Sequence, residues 1–424
     1  MPSMGEAIMR DLTSELEAMQ SHYTVQRFIS SGSYGAVCAG VDENDCAVAI
    51  RRVFNTISDG RTVNILSDPF LCKRVLREIM LLNHFHHPNI LGLKNIFVHL
   101  QPPNQHKLYL VTELMRTDLA QVIHDQRIRI SPQHIQFFMY HILLGLHVLH
   151  QAGVVHRDLH PGNVLVAENN DVAICDFNLA REDTQDQNKT HYVTHRWYRA
   201  PELVMQFKGF TKLVDIWSAG CVMGELFNRK ALFRGSTFYN QLDRIVEVVG
   251  TPNDDDIRMF SSAQARDYLH HSLSNCKKRP WEEVVSTSDK TALDLLARML
   301  EFNPTKRITA EQALQHPYFA SLYDPLDLTE ARSEPFHFRD VNDIPTMHDM
   351  FLDEVRRFKT LRERRDLIAQ QRGLGGDACK HGERPRHGSH APNAQHDGGG
   401  GDGAEIVVVA ATKGMEIKIS GEDV

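Results

Sequence analysis

The chain has 424 residues, 42% hydrophobic and 24% charged, the balance of a globular protein with room for two lobes. A net charge of −7 excludes bulk nucleic-acid binding, and no apolar run reaches membrane-spanning length. Residues 1 to 20 do not form a signal peptide, and the seven cysteines, an odd set without C-x-x-C spacing, read as reduced thiols inside a cell.

In chain order, Ile8, Met9, Leu12 and Leu16 fall near one face of a short amphipathic helix. Strand signals begin at Tyr23 and run through Val25, Phe28 and Ile29 to Ser30, Gly32, Gly35 and Val37, then resume from Cys46 to Val53. Two readings stand for the glycine-containing turn: backbone N–H groups that approach phosphate without an intervening Cβ, or a plain hairpin. A helical pattern follows from 69 to 85, carrying Arg77 and Glu78, then a strand-like run from Ile90 to His99 and another from Lys107 to Thr112. This is a small antiparallel sheet with one helix.

After Asp118 the pattern turns helical, and Ile135 to His150 carries apolar residues at helical spacing. Next come His156-Arg157-Asp158-Leu159-His160-Pro161-Gly162-Asn163, two short apolar runs around an Asn-Asn-Asp turn, and Asp176-Phe177-Asn178. The runs read as a β-hairpin with Asp158 and Asn163 at one end and Asp176 at the other, a cradle for Mg²⁺ and for a nucleophile's proton. Beyond Trp197-Tyr198-Arg199-Ala200-Pro201-Glu202, a helix is expected from Val214 to Asn228, a loop-rich insertion over about 230–285, and a helix from Thr291 to Met299. Residues 373 to 404 are rich in Gly, Pro and His and cannot bury enough apolar surface to fold. Their histidines and Cys379 are metal-ligand types, but a solvated tail is the stronger reading. Ile406 to Ala411 and Ile417 to Ile419 are candidates to pair as strands.

His-Arg-Asp-x-x-x-x-Asn followed across one hairpin by Asp-Phe resembles the catalytic core of eukaryotic protein kinases, from Tyr23 to about Phe319. Thr190-His191-Tyr192 between the Asp-Phe and Ala-Pro-Glu motifs, the insertion after Phe233-Arg234-Gly235, the segment ending in Thr117-Asp118-Leu119 and the extension from Phe336 to Arg364 are similar to mitogen-activated protein kinases. His191, with the Asp-Phe-Asn and Asp-Leu-His sequences, is closer to protozoan members. The resemblance implies an α+β bilobal fold, with a small antiparallel-sheet lobe and a larger, mostly helical one. Its expected parts are an N-terminal helical segment (1–20), a small lobe (21–115), a large lobe (116–325), an extension packing back on the kinase (326–372) and a mostly disordered tail (373–424).

It also implies ATP and Mg²⁺ as cofactors. Asp158 would accept the substrate hydroxyl's proton, with Asn163 and Asp176 holding Mg²⁺ and Glu78 orienting the cation of the third strand. Ile29, Ser30, Gly32, Gly35, Val37, Ala49, Arg51, Glu78, Thr112, Glu113, Met115, Asp118 and Leu165 would line the nucleotide, with a small gatekeeper, Thr112, leaving room for bulky aryl ligands. Arg77, Arg157 and Arg181 suit a phosphate on Thr190, and Arg196 and Arg199 one on Tyr192. Asp324 and Asp327 match the patch that holds basic docking motifs, the alternative being a solvated helix end. Implied partners are proteins with Ser/Thr-Pro sites, an upstream dual-specificity kinase and phosphatases, in the cytoplasm with the nucleus as a second compartment, with neither nucleic acid nor membrane.

Four departures qualify this. Arg51 replaces the lysine of Val-Ala-Ile-Lys; it keeps the charge as a bulkier planar fork, while Arg52, by strand alternation, points away. His160 replaces the catalytic-loop lysine, and His195 the threonine that bridges to it. Either these two form a pair that makes turnover pH-dependent near neutrality, or they are tolerated substitutions with water filling in. Asn178 replaces the glycine after Asp-Phe, and its tolerance of left-handed dihedrals is expected to preserve the turn. The first reading is therefore a working kinase slowed at Arg51, the alternative an impaired kinase acting as a docking scaffold.

Overall fold

The computed structural model describes residues 3–19, 21–32, 35–53, 56–58, 61–99, 107–183, 195–205, 211–258, 263–273, 275–339, 341–371, 406–410 and 415–419. The chain divides into two compact units, residues 1–115 with 339–388, and 116–338 with 389–424.

The first unit is built on an antiparallel sheet. Strands β1 (Thr24–Gly32), β2 (Gly35–Val41) and β3 (Ala47–Val53) form a meander, followed by a short hairpin, β4 (Thr56–Ser58) and β5 (Arg61–Val63). Strands β6 (Leu93–His99) and β7 (Lys107–Glu113) complete five strands in the order β1-β2-β3-β7-β6. Helix α1 (Met4–Ala18) starts at a capping box between Ser3 and Glu6. Its Leu12 and Leu16 are buried against Cys38, Val48, Ile50, Tyr109 and Val111 of the sheet, with Ile8 and Met9 packed beside them. Burying two leucines is worth roughly 3–6 kcal/mol before ordering entropy is charged. Glu15 fixes the helix by accepting from Arg52 (2.6 Å) and the Tyr109 hydroxyl (2.5 Å). Helix α2 (Pro69–His84) has Asp68 as its N-cap and Pro69 at its first turn. A long C-terminal helix, Ile344–Gln371, packs on α2 and β6, where Asn83 Nδ2 donates to the Glu354 carbonyl (3.0 Å) and carboxylate (2.7 Å).

The second unit is mostly helical. Strand β8 (Thr117–Asp118) leads into α3 (Leu119–His124) and the buried α4 (Pro132–Gln151). Strands β9 (Val154–Val155), β10 (Val164–Val166), β11 (Val172–Ile174) and β12 (Arg181–Glu182) lie within and around the segment from His156 to Asn178. Val164 faces Ile174 and Val166 faces Val172, while Asn170 at the turn has φ +69°. Helix α5 (Pro201–Val204) precedes α6 (Leu213–Asn228), which is buried along most of its length and packs on α4.

The insertion expected to be loop-rich is largely helical: α7 (Phe238–Val249), α8 (Asp254–Arg258), α9 (Ala263–Ser272) and α10 (Trp281–Val284). In α7, Leu242, Ile245 and Val246 are buried at i, i+3, i+4 spacing and Thr237 caps the Asn240 N–H. Gly235, Gly250, Pro252 and Pro280 break these helices into pieces that look like loop in the sequence. Then follow α11 (Lys290–Met299), α12 (Ala310–Leu314) and α13 (Pro325–Glu330). Far along the chain, residues 406–410 pair antiparallel with 415–419, a second strand that starts earlier than Ile417. The Gly/Pro/His-rich segment, Cys379 included, lies outside the described residues.

Candidate active site

In the first unit, Gly32 faces Gly35 across the β1–β2 turn, and Ser30 faces Val37. Gly35 has φ +141°, and a Cβ there would sit 2.2 Å from the Arg52 carbonyl oxygen, so only glycine fits. Ile29 on β1 is exposed. Val37 pairs with Arg51 and Ala39 with Ala49, which places Val37, Ala49 and Arg51 on one face of the sheet. Arg51 Nη1 and Nη2 donate to the two Glu78 carboxylate oxygens at 2.9 and 2.5 Å, a two-pronged ion pair on a carboxylate buried in α2. Arg52 goes to the other face, to Glu15. Arg77, one position before Glu78, is half-buried. Thr112 and Glu113 end β7, with Met115 two residues on, all three half-buried.

In the second unit the loop from His156 to Asn163 hangs on one carboxylate. Asp215 of α6 is fully buried and accepts from the His156 N–H (2.9 Å), the Arg157 N–H (2.8 Å) and a ring nitrogen of His150 (2.9 Å). Burial pushes its carboxyl up, but His150, His156 and the Arg157 N–H outweigh burial and hold it below the usual range. Those bonds hold Arg157 at φ +70°, a backbone that non-glycine residues avoid. Sequence reasoning places Asp215 in its helix and gives it no role; the available signal is a carboxylate inside an otherwise apolar run.

Asp158 follows that strained residue and is largely buried. Asn163 Nδ2 donates to its backbone carbonyl (3.0 Å), and the Cys175 N–H donates to the Asn163 carbonyl (3.0 Å). Burial acts to raise the Asp158 carboxyl, but His195 and the neighbouring imidazoles of His160 and His156 hold it down. The expected juxtaposition of His160 and His195 is present, with ring centroids 3.7 Å apart and His195 Nδ1 3.8 Å from Asp158 Oδ1. Burial, then His195, pushes His160 down to about 3, so His160 is neutral throughout the physiological range. Its Nδ1 accepts the Gly162 N–H (3.1 Å), which leaves the ring proton on Nε2.

Asp176 has φ +64°, and Phe177 beyond it is fully buried with its ring edge-on to His156, centroids 5.4 Å apart. The left-handed residue of this turn is Asp176, not Asn178, whose φ is not positive. Asn178 instead ties the turn by side chain: its Nδ2 donates to Asp176 Oδ1 at 2.5 Å and its backbone N–H to the same oxygen at 3.4 Å. That leaves the other Asp176 oxygen and Asn163 Oδ1 as acceptors, an all-oxygen pair that suits Mg²⁺.

Leu165, half-buried, pairs with Asp118, and the Asp118 carboxylate caps α3 through the Gln121 N–H (2.9 Å) and Nε2 (2.7 Å). Thr190 and Tyr192 lie outside the described residues. Arg157 donates to the Leu179 carbonyl, Arg181 to that of Ala180, and Arg196 to that of Ser236. Arg199 follows the 3₁₀ turn Arg196–Tyr198. Glu202 and Arg307 form a buried two-pronged pair at 2.7 and 3.0 Å, which no local sequence signal announces. Asp324 caps α13 and Asp327 accepts from the Tyr140 hydroxyl (2.5 Å); both are half-buried.

Residues 23–319 match the model of the protein kinase domain family. The chain is 38% identical over 394 residues to the mitogen-activated protein kinase MPS1 of Pyricularia oryzae, covering 91% of this chain and 88% of that one. It is 39% identical over 368 residues to SLT2/MPK1 of Saccharomyces cerevisiae, covering 84% and 74%. Among solved structures, the MAP kinase LmaMPK10 from Leishmania major is 74% identical with a TM-score of 0.74, covering 84% of this chain and all of that one. A second structure of that kinase, in complex with an inhibitor, aligns at 68% identity and a TM-score of 0.68, covering 82% and 98%. A five-stranded antiparallel sheet unit and a helical unit are the two halves of the kinase fold. The chain belongs to the protein kinase family, as a serine/threonine kinase of the mitogen-activated type.

Proposed function

We propose that this chain transfers the γ-phosphate of ATP to serine or threonine followed by proline, and that phosphorylation of Thr190 and Tyr192 switches it on. The observation that carries an active rather than a scaffold role is the Arg51–Glu78 pair. The substitution that argued most for an impaired enzyme sits in a two-pronged bond with the α2 carboxylate. Asp158, its carboxyl held low, is a base that takes the substrate hydroxyl's proton. Asp176 and Asn163 would hold Mg²⁺, which would supply charge neutralisation on the phosphates. Neutral His160 offers the phosphate an Nε2 hydrogen bond where the family's lysine offers a charge. The Trp197–Arg199 turn supports proline selection, its indole N–H held by the Gly235 carbonyl (3.2 Å).

Thr112, small and at the end of β7, fits binding of bulky aryl ligands, and the Leishmania relative accepts an inhibitor. An upstream dual-specificity kinase, phosphatases and basic docking motifs at Asp324 and Asp327 complete the reading, in the cytoplasm and nucleus. The test is transfer by the doubly phosphorylated chain to matched peptides with Ser-Pro or Ser-Ala. Strong preference for Ser-Pro, lost with Thr190→Ala/Tyr192→Phe, is expected; equal use of both peptides, or a variant as active as the parent, refutes the proposal.

A further inference from the structure

Three metal-ligand side chains converge where the family has a lysine and a threonine. One ligand atom each from Asp158, His160 and His195 lies within 4.8 Å of the others, and no other such group of histidine, cysteine and carboxylate occurs among the described residues. His160 is buried, Asp158 is largely so, and His195 stands at the solvent edge with 62% of its side chain exposed. The set is therefore open on one side. The His195 ring lies 3.8 Å from the carboxylate, beyond hydrogen-bond length, while its backbone N–H donates to Asp158 Oδ1 at 3.4 Å.

We infer that Asp158, His160 and His195 form a binding site for a borderline divalent transition metal, with Zn²⁺ as the best match, and that the bound ion inhibits phosphoryl transfer. Two imidazoles and one carboxylate with a fourth position open are the donor set of open zinc sites, and nitrogen donors select against Mg²⁺. The Mg²⁺ that accompanies ATP goes to oxygens, so the two ions do not compete for the same ligands. Whichever ring nitrogen of His160 takes the ion, the Gly162 contact to Nδ1 gives way, because Nδ1 then either ligates or carries the proton. A metal on Asp158 withdraws the carboxylate that accepts the hydroxyl proton. That inhibitory half rests on the kinase reading above; the binding half does not.

The test titrates the full-length chain with Zn²⁺ against a chromogenic chelator, in a background where Cys379, His381, His387, His390 and His396 are replaced by serine. His195→Thr removes an exposed ligand without opening the core, and Asp158→Asn is the second variant should the first misfold. Expected is one tight Zn²⁺ per chain, weakened at least about 100-fold in either variant, since losing a direct ligand exceeds what an outer partner's loss costs. Co²⁺ should report the same site by a tetrahedral absorption spectrum that both variants lose. Equal Zn²⁺ binding by parent and variants overturns the site. In the activity arm, stoichiometric Zn²⁺ at fixed ATP–Mg²⁺ should suppress transfer by the parent and leave the residual rate of His195→Thr unaltered; an equal response refutes the inhibitory role. If the parent transfers no phosphate even without Zn²⁺, the kinase reading fails while the binding arm still decides the site.

Discussion

In the sheet unit, arginine stands where the family has a lysine, and in the helical unit histidine stands where it has another. The two replacements behave differently. Arg51 keeps the positive charge, and its planar fork meets both Glu78 oxygens through two parallel N–H···O bonds, so the ion pair survives the exchange. His160 is buried with its pKa lowered to about 3, so the exchange removes a positive charge and puts a neutral hydrogen-bonding ring in its place. A side chain whose task is to pair with a carboxylate is replaceable by another permanent cation. One whose environment desolvates it changes its charge state with its identity, and the neighbouring threonine position has changed with it, to His195.

The largest expected effect is at the residue both histidines surround. Asp158→Asn should lower transfer by about 10²–10⁴ with thermal stability little changed, as loss of a general base does; a rate within tenfold of the parent would remove Asp158 from the chemistry. Breaking the other side of the comparison, Glu78→Gln leaves Arg51 without its charged partner and should lower the rate about 10²–10³. If it left the rate intact, the pair would be ornamental. Asn178→Gly frees Asp176 Oδ1 for the cation and should lower the Mg²⁺ concentration for half-maximal rate by about tenfold, the equivalent of one charge-assisted hydrogen bond; an unaltered Mg²⁺ requirement contradicts the tie.

The smallest effect concerns the state of His160. Its folded pKa lies below its unfolded one, so between about pH 6.5 and 3 the unfolded chain binds the extra proton and stability falls as pH falls. From pH 6.5 to 5 the parent should lose about 1–2 kcal/mol, or roughly 1–2 °C in Tm, more than His160→Gln does. Parallel Tm curves would mean that His160 is protonated in the fold.

Much of this was legible locally. Strand alternation separated Arg51 from Arg52, and the stripe of Ile8, Met9, Leu12 and Leu16 marked the apolar face of α1, though not the sheet it packs on. The two short apolar runs around Asn169-Asn170-Asp171 announced the hairpin. What was not legible joins residues distant in sequence. Asp215 reaches back to the backbone of His156 and Arg157, and Arg307 reaches Glu202, contacts that no periodicity encodes. Asn178 misled for another reason: its side chain supplies a bond to Asp176, while its backbone tolerance is not used. The helices of the insertion were hidden by the glycines and prolines that divide them.

Whether Arg51 serves in the lysine's place is tested by measuring phosphate transfer from ATP–Mg²⁺ to a Ser-Pro/Thr-Pro protein by the doubly phosphorylated chain and by its Arg51→Lys variant. Rates within about tenfold of each other, less than one well-placed donor is worth, are predicted. Transfer by the lysine variant alone would show that position 51 switches the enzyme off, and transfer by neither would show that the fold serves as a scaffold.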